Sequence, residues 1–312
     1  MRPGGVELEL VARVATGILP KSVEVSPDGQ SVFVCNFGLK HRDNVWRYDT
    51  ASSTHDGTLE FRGTAVEIAF TGDGQTLFVS DFGGARVFEV DAESLEIRDE
   101  FRVDHNPKVM ALSPDEHLLY VSNWSSNTVS VVDLERGKSI QRLKTGAHPR
   151  GLAVHADGSL FAAAMYADRI HVFGPSSSED EAVRELRTFE ACEFPRAAVF
   201  VPDQSLLFVT CSGTNELAWY EPDTGRKLGA APVGENPRSL AMSRDGRFFA
   251  VANFDGGSVS LVDTHGGTYG TFDAPKAERI VGIAVQSGPE LERVYATSWQ
   301  TNELLVYEPR SG

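Results

Sequence analysis

The chain has 312 residues, of which 41% are hydrophobic and 23% charged, and its formal net charge is -15. This composition is typical of a globular protein with a large core. The negative charge argues against partners such as nucleic acid or an anionic membrane surface, because both would be repelled. No run of about 18 apolar residues occurs and the N-terminus lacks the apolar segment of a signal peptide, so a cytoplasmic location is expected unless a leader has been removed.

Three cysteines are present, at Cys35, Cys192 and Cys211. Their small, odd number predicts no disulfide framework and fits a reducing compartment. Cys192 and Cys211 fall within one of the repeats described next, and we expect them to approach each other at one face of the fold. No local motif marks either as a nucleophile, so both are interpreted as small buried residues.

An acidic residue within a turn recurs along the chain at intervals of 42–46 residues. The turns contain Asp28, Asp73, Asp115, Asp157, Asp203, Asp245 and Glu290. An interval of this length is typical of the four-stranded blades of β-propellers. The sequence therefore predicts seven blades.

Each repeat contains the same run of strands. In residues 106–133, apolar segments VMAL, LLYVS and TVSVV are separated by turns of Pro, Asp, Asn and Ser. No helical periodicity of useful length competes, so the chain is predicted to be all-β. We predict a single domain over residues 1–312, a seven-bladed β-propeller with antiparallel blades. The polar insertion at 38–44 is interpreted as a lengthened loop and that at 176–186 as a solvated loop or strand at the outer edge, and neither as a domain linker.

The two ends of the chain complement each other. The last repeat stops after three strands, near residues 306–308, whereas the first repeat is preceded by one extra strand-like segment. Residues 6–14 within that segment are therefore predicted to complete the last blade and close the ring. Closure removes the exposed edges that an open array of blades would present.

Segments of the chain resemble the YVTN-type propeller repeats of the lactonase-like and surface-layer-like family. The resemblance is carried by YVSNWSSNTVSVVD (120–133), TGAHPRGLAVHADG (145–158) and VGENPRSLAMSRDG (233–246). It extends over essentially the whole chain and implies the propeller fold. It implies no single activity, because the family includes lactone hydrolases, lyases and binding proteins, and no catalytic signature can be carried over residue by residue.

A basic residue recurs where the innermost strand of a blade begins. Eight residues before each acidic turn residue the repeats have Pro20, Ala65, Pro107, Pro149, Pro195, Pro237 and Gly282, and the next position has Lys21, Val66, Lys108, Arg150, Arg196, Arg238 and Ile283. Five of these seven are basic in an acidic chain, which predicts a cationic mouth of the central channel. Arg62, Lys276 and Arg279 are expected to extend it in the two blades that lack the basic residue. The alternative is that the long stems cover apolar surface and pair with carboxylates such as Glu24, Glu67 or Glu235.

Aromatic residues recur at the same face, nine residues after the acidic turn residue. They are Phe37, Phe82, Trp124, Tyr166, Phe254 and Trp299, with Ser212 in the remaining repeat. Most are interpreted as core between blades, and Trp124, Tyr166 and Trp299 are the candidates for ligand contact. The preceding position is often Asn or Asp; because cations surround it, we interpret it as a residue that satisfies turn backbone groups and predict no metal site.

Two histidines, His105 and His148, lie in loops that enter innermost strands and are candidate acids or bases. No phosphate-binding glycine motif, zinc-type cysteine pair or G-x-S-x-G elbow is present, and no cofactor is predicted.

Three hypotheses follow. The first is a propeller that binds an anionic small molecule or an acidic peptide through Lys21, Lys108, Arg150, Arg196 and Arg238, with Trp124, Tyr166 and Trp299 in contact. The second is a lactonase-like hydrolase or a lyase that uses His105 or His148 at the same site. The third is a scaffold with a protein partner and no small-molecule chemistry.

Overall fold

The computed structural model describes residues 6–38, 41–175, 182–201, 203, 205–275, 279–288 and 291–310. Its 28 strands form seven four-stranded antiparallel sheets, and each sheet is one blade of a β-propeller. The predicted fold class is therefore confirmed. Glu290, Lys276, part of the loop at 38–44 and part of the loop at 176–186 lie outside the described residues.

The blades are numbered in chain order. Blade one contains β2 (Pro20–Val25), β3 (Ser31–Asn36), β4 (Val45–Asp49) and β5 (His55–Leu59). Blade two contains β6 (Ala65–Phe70), β7 (Thr76–Asp81), β8 (Arg86–Asp91) and β9 (Ile97–Arg102). Blade three contains β10 (Pro107–Leu112), β11 (Leu118–Asn123), β12 (Thr128–Asp133) and β13 (Lys138–Lys144). Blade four contains β14 (Pro149–Val154), β15 (Leu160–Ala164), β16 (Arg169–Phe173) and β17 (Glu185–Glu190), with a short 3₁₀ turn at Met165–Ala167.

The other three blades follow the same order. Blade five contains β18 (Pro195–Phe200), β19 (Leu207–Cys211), β20 (Glu216–Tyr220) and β21 (Lys227–Pro232). Blade six contains β22 (Pro237–Met242), β23 (Phe248–Asn253), β24 (Ser258–Asp263) and β25 (Thr268–Asp273). Blade seven contains β26 (Ile280–Ser287), β27 (Leu291–Ser298), β28 (Glu303–Pro309) and, from the start of the chain, β1 (Leu8–Ala15).

The first strand of the chain closes the ring. β1 pairs antiparallel with β28, from Leu8 opposite Pro309 to Ala15 opposite Glu303. Leu8 is buried among side chains of blades six and seven. The predicted closure by the N-terminal segment is confirmed.

The sequence pattern of each strand follows its distance from the channel. β11 and β12 are almost entirely buried, because blades pack on both of their faces, and both are apolar runs. β9, at the outer edge of blade two, buries only Phe101 and exposes five other side chains. Charged side chains on outer strands discourage pairing with other chains.

The core lies between neighbouring blades. Phe33 and Val45 of blade one pack with Leu77 and Phe88 of blade two, and comparable clusters join the other blades. The innermost strands contact one another in a ring around the central channel. No helix in the described part of the chain is long and apolar enough to cross a membrane.

The cysteines differ from expectation. Cys192 and Cys211 form a disulfide in blade five, with their Cα atoms 5.6 Å apart, and Cys35 is free and buried. Their proximity was predicted, but their bond was not, because an odd count does not show which residues meet in space. The cytoplasmic location stays a prediction, and the disulfide is a reason to test it, since disulfides persist mainly in oxidising compartments.

Candidate functional site

Five basic side chains lie around the mouth of the central channel, each one residue after the start of an innermost strand. This cationic ring consists of Lys21, Lys108, Arg150, Arg196 and Arg238. Lys21, Arg150 and Arg238 line one cavity, and Arg196 and Arg238 line the cleft beside it. The charges of Lys21 and the three arginines disfavour the charged form of Lys108. The structure therefore brings the predicted basic residues together.

Hydroxyl groups of the adjacent blade hold the backbone of ring residues. Ser80 Oγ donates to the carbonyl of Lys108 at 3.0 Å, and Ser122 Oγ donates to that of Arg150 at 3.0 Å. Thr297 Oγ1 donates to the carbonyl of Lys21 at 2.9 Å. These bonds tie the cations to rigid strands, so the ring is fixed before any ligand arrives.

In blade seven the innermost strand begins at a different residue from the one predicted. Ile280 pairs with Ser298 as Pro107 pairs with Asn123, so Val281, not Ile283, occupies the position of Lys108. The prediction of Gly282 and Ile283 was wrong because β26 and β27 form a longer hairpin with an extra register shift.

The residues expected to extend the ring have different positions. Arg279 precedes β26, and its Cζ lies 5.5 Å from the centroid of the Phe254 ring. Its charge lowers the pKa of Arg238, so Arg279 extends the positive field. Arg62 is exposed, and its carbonyl accepts a hydrogen bond from Arg86. Lys276 lies outside the described residues.

Three members of the ring are deeply buried. Lys108 is 8% exposed, Arg150 8% and Arg196 9%. Burial, followed by the charge of Arg150, lowers the pKa of Lys108 to about 4 and that of Lys21 to about 7. Burial also lowers the pKa of Arg150 and Arg196, although a guanidinium keeps its proton in proteins. The ring thus gathers basic groups in a poorly solvated place, where burial and mutual repulsion work against their charged forms.

Carboxylates offset the positive charge of the ring only from beyond ion-pair distance. No described carboxylate forms an ion pair with a ring residue, although many pairs occur elsewhere on the surface. Glu67 attracts Arg150 and Lys21 from within the channel. Burial raises the pKa of Glu67 to about 7 and that of Glu24, which also feels Glu67, well above its usual range. Burial thus disfavours the charged form of both acids, and neither forms an ion pair with a ring residue.

Aromatic rings support the two lysines. Lys21 Nζ lies 4.9 Å from the centroid of Phe37 and 5.2 Å from that of Trp299. Lys108 Nζ lies 5.3 Å from the centroid of Phe82 and 4.7 Å from that of Trp124. Cation–π contact stabilises each ammonium group where water is scarce. Trp124 and Trp299 therefore serve at least to position the lysines.

One arginine has a comparable support. Arg238 Cζ lies 3.2 Å from the centroid of Phe254. Among the described side chains, Arg238 Nε and Arg196 Nε are buried without a hydrogen-bond partner. Arg196 donates one bond, from Nη1 to Asn236 Oδ1 at 3.3 Å. Donors that are buried without a partner are costly to the folded protein.

The two candidate histidines differ. His148 stacks on Trp124 with ring centroids 4.2 Å apart, and its Nδ1 lies 2.8 Å from the Trp124 carbonyl oxygen. Tyr166 packs edge-on against it. His105 is exposed, and only its backbone N–H is bonded, to Ser126. His148 therefore belongs to the aromatic surround of the mouth, and catalysis by either histidine stays a prediction.

The ring borders two cavities that share one lining residue, Arg238. A channel cavity of about 240 Å³ is lined by Lys21, Arg150 and Arg238 at the mouth, and by Glu67 and Glu24 further in. A more open mouth cleft of about 580 Å³ is lined by Arg196 and Arg238, with Tyr166 among its other residues. Arg238 lines both, so an occupant of either cavity meets the ring.

The polar residues at the ends of the second strands form hydrogen bonds within their own blades. Asp81 satisfies a loop backbone group, as interpreted from the sequence, whereas Asn123 donates to side-chain hydroxyls. Asp81 accepts from the Thr64 N–H at 2.8 Å and pairs with Arg86 at 3.0 Å. Asn123 donates to Ser130 Oγ at 2.9 Å. In the part of the chain that the structure describes, no group of three or more His, Cys, Asp or Glu side chains is placed to hold a metal ion.

Comparison with known proteins shows the family to which the chain belongs. The model of the Choice-of-anchor I domain matches residues 2–157, which is half of the chain. The chain belongs to the Choice-of-anchor I domain family. The finer resemblance to YVTN-type repeats is not part of that match.

Two individual proteins are similar to this family member. Antigen Lp49 of Leptospira interrogans is 21% identical over 263 residues, which cover 80% of this chain and 56% of that protein. The chain thus spans little more than half the length of this relative. Hydrazine synthase of Kuenenia stuttgartiensis superimposes with a TM-score of 0.74 at 19% identity, over 94% of this chain and 96% of that chain. At this identity the likeness shows the fold alone.

Sequence reasoning treated the channel carboxylates only as pairing partners. Glu24 is the single charged residue at its position of the innermost strand; the other blades have Ala69, Ala111, Ala153, Val199, Ala241 and Ala284 there. That departure from the repeat was visible in the sequence. Asn236 and Asp255 at the mouth gave no such signal, because loop residues vary between repeats.

Proposed function

We propose that the protein binds an anion, a small carboxylate or phosphate or an acidic peptide end, at the mouth of the central channel. One observation carries the proposal: five basic side chains converge there without an ion-paired carboxylate among the described residues, and three of them are less than one-tenth exposed. In a chain of net charge -15, such a site works against the overall field.

The basic groups of the ring are costly to keep charged. Burying like charges costs free energy through desolvation and mutual repulsion. A bound anion supplies the missing opposite charge, so part of that cost is recovered on binding. The low-dielectric walls of the channel also focus the positive potential on its mouth, which favours capture of anions.

The chemistry of the ring suits oxygen ligands. Arginine offers parallel N–H groups that match a carboxylate or phosphate, and lysine offers a compact charge. The aromatic contacts of Lys21 and Lys108 and the backbone bonds of the ring hold these donors in place. Little conformational entropy is then lost on binding.

The test compares Lys108→Gln with the wild type. Lys108 is chosen because the neighbouring charges that act on it are all positive, so its loss leaves no carboxylate unpaired. Isothermal titration with inorganic phosphate and with succinate, at low and at physiological salt, measures the affinity. We expect the variant to bind at least about tenfold more weakly, an effect of about 1.4 kcal/mol, without loss of thermal stability.

The matched control is Arg102→Gln, which removes one positive charge from an exposed site on β9. It should leave affinity unchanged. Equal affinity of Lys108→Gln, Arg102→Gln and the wild type, or no binding of either anion by the wild type, would show that the ring is only structural.

A lactonase-like hydrolase or a lyase is the second candidate, and one observation favours it. The Glu67 carboxyl faces Arg150 and Lys21 in the channel cavity, and burial raises its pKa to about 7, a value suited to proton transfer. The resemblance to YVTN-type repeats motivates the substrate class. Turnover of lactones by the wild type and its loss in Glu67→Gln would support this candidate; no turnover by the wild type would remove it.

A further inference from the structure

The mouth cleft lies between blades four, five and six, on one side of the cationic ring. Its residues come from the loops that precede and follow the innermost strands, and Arg238 joins it to the channel cavity. Like the channel cavity, the cleft is lined by opposite charges, but the carboxylates of the cleft are exposed.

The floor of the cleft is positive. Arg196 is 9% exposed, and its Nε, like that of Arg238, has no hydrogen-bond partner among the described residues. Burial and the charge of Arg150 disfavour the charged form of both arginines. Both arginines line the cleft, and each guanidinium also has terminal N–H groups that can donate to an acceptor at the floor.

The rim of the cleft is negative. Glu193, Glu235 and Asp255 line it and are exposed. The Asn236 side chain connects rim and floor, because it donates to Asp255 Oδ2 at 2.8 Å and accepts from Arg196 Nη1 at 3.3 Å. A guanidinium group and a carboxylate are thus held one amide group apart, each with capacity for a ligand.

The remaining wall is aromatic. Tyr166 is 56% exposed, and its ring packs edge-on against Phe194, 5.4 Å away between centroids. Both rings line the cleft. Aromatic faces beside a carboxylate favour an ammonium group and the methylenes attached to it.

We propose that the mouth cleft binds a zwitterion, an amino-carboxylate whose carboxylate group contacts Arg196 and Arg238 and whose ammonium group contacts Asp255. The proposal rests on the proposed anion site and narrows its ligand class. A dicarboxylate would place its second negative charge against the acidic rim and be repelled, whereas a zwitterion meets an opposite charge at each end.

The test uses matched ligands and isothermal titration. The zwitterions are 4-aminobutyrate and 6-aminohexanoate, and their partners are glutarate and pimelate, which have the same number of methylenes but a carboxylate in place of the amine. We expect at least one zwitterion to bind about tenfold or more tightly than its dicarboxylate partner. Asp255→Asn should remove that preference, because it keeps the hydrogen bond from Asn236 but loses the charge.

Two variants separate this inference from the anion site itself. Asp223→Asn, an exposed carboxylate between β20 and β21, removes the same charge far from the cleft and should leave the preference intact. Arg238→Gln should weaken zwitterions and dicarboxylates together. If dicarboxylates bind at least as tightly as zwitterions, or if Asp255→Asn does not change the preference, the zwitterion inference is wrong while the anion site stands. If none of the four ligands binds, the zwitterion inference is wrong, and the titrations with phosphate and succinate decide whether the anion site stands.

Discussion

The two ends of the innermost strands contrast in how they use polar groups. At the turn end, Asp115 accepts hydrogen bonds from Ser113 Oγ at 2.5 Å and from the His117 N–H at 3.2 Å. Equivalent bonds from Ser26 and Thr71 lower the pKa of Asp28 and Asp73. At the mouth end, buried N–H groups of Arg196 and Arg238 have no partner among the described residues.

This contrast separates structure from binding capacity within one repeat. The turn motif closes its own hydrogen bonds locally, so its repetition needs no explanation beyond folding. The mouth assembles its charges from different blades and leaves them uncompensated, which lowers stability unless a ligand is gained. The recurrent turn residues are therefore interpreted as scaffold, and the recurrent basic residues, whose charges have no ion-paired carboxylate among the described residues, as a site.

Removing the strand that closes the propeller should have the largest effect, because it disturbs the turn ends and the mouth ends of the innermost strands together. Deletion of residues 1–16 removes β1, including the buried Leu8 and its pairing with β28. The free energy of unfolding should fall by about 3 kcal/mol or more from lost apolar burial alone. Guanidinium unfolding followed by circular dichroism measures it.

Deletion of residues 1–5 only, which precede β1, is the matched control. A 1–16 deletion that unfolds at the same denaturant concentration as the intact chain would contradict closure by β1. Loss of anion binding in the folded fraction of that deletion would further show that the mouth depends on the closed ring.

Breaking one turn should have a smaller effect, limited to stability. Asp115→Ala removes the two hydrogen bonds at the turn of blade three, at a cost of about 1–2 kcal/mol. Asp223→Ala, at another exposed position, should change the free energy of unfolding by less than about 0.5 kcal/mol. Anion affinity should be unchanged in both variants, and a large loss of affinity in Asp115→Ala would remove the contrast between the two ends.

The smallest effect concerns the pH dependence of stability. Burial, followed by the charge of Arg150, lowers the pKa of Lys21 to about 7, with Glu67 opposing and Arg238 and Arg196 adding to the effect. In the unfolded chain the pKa of lysine is about 10.4. Between pH 7 and 9 the unfolded state therefore binds more protons at this residue, and stability rises with pH.

Lys21→Met should reduce that slope by up to about 1 kcal/mol per pH unit. Lys138→Met, at an exposed position on β13, should leave the slope unchanged. The free energy of unfolding is measured in urea at three pH values in this window. A slope that is the same in Lys21→Met and in the wild type would show that Lys21 is better solvated than its place in the ring implies.

Much of the scaffold was predictable because repetition reports it directly. The turn aspartates gave the number of blades, and a fourth-strand-like segment before the first turn gave the closure by β1. The position of the ring followed from aligning the repeats, except in blade seven, where two extra residues between Ile280 and Ser298 shifted the phase. A hairpin of altered length cannot be aligned by spacing from a turn residue.

Much of the mouth was not predictable, because it is built from loops that do not repeat. The Cys192–Cys211 bond, the amide of Asn236 between Arg196 and Asp255, and the stacking of His148 on Trp124 join loops that differ between repeats. Distances between such loops depend on how the blades are arranged around the channel. The basic residues of the ring could be identified from their periodic position in the sequence. How far carboxylates offset their charge could be judged only from where Glu24 and Glu67 lie in the structure.

The sequence by itself determined the number of blades, their four-stranded form, the closure of the ring and the identity of its five cations, because each follows from residue types repeated at a fixed interval. Only the tertiary structure decided how deeply Lys108, Arg150 and Arg196 are buried and which of their N–H groups remain unpaired. It also placed the carboxylates of the mouth cleft opposite them. The physical reason is that desolvation and Coulomb energies depend on distances between blades, and residues far apart in the chain set those distances only when the ring has closed.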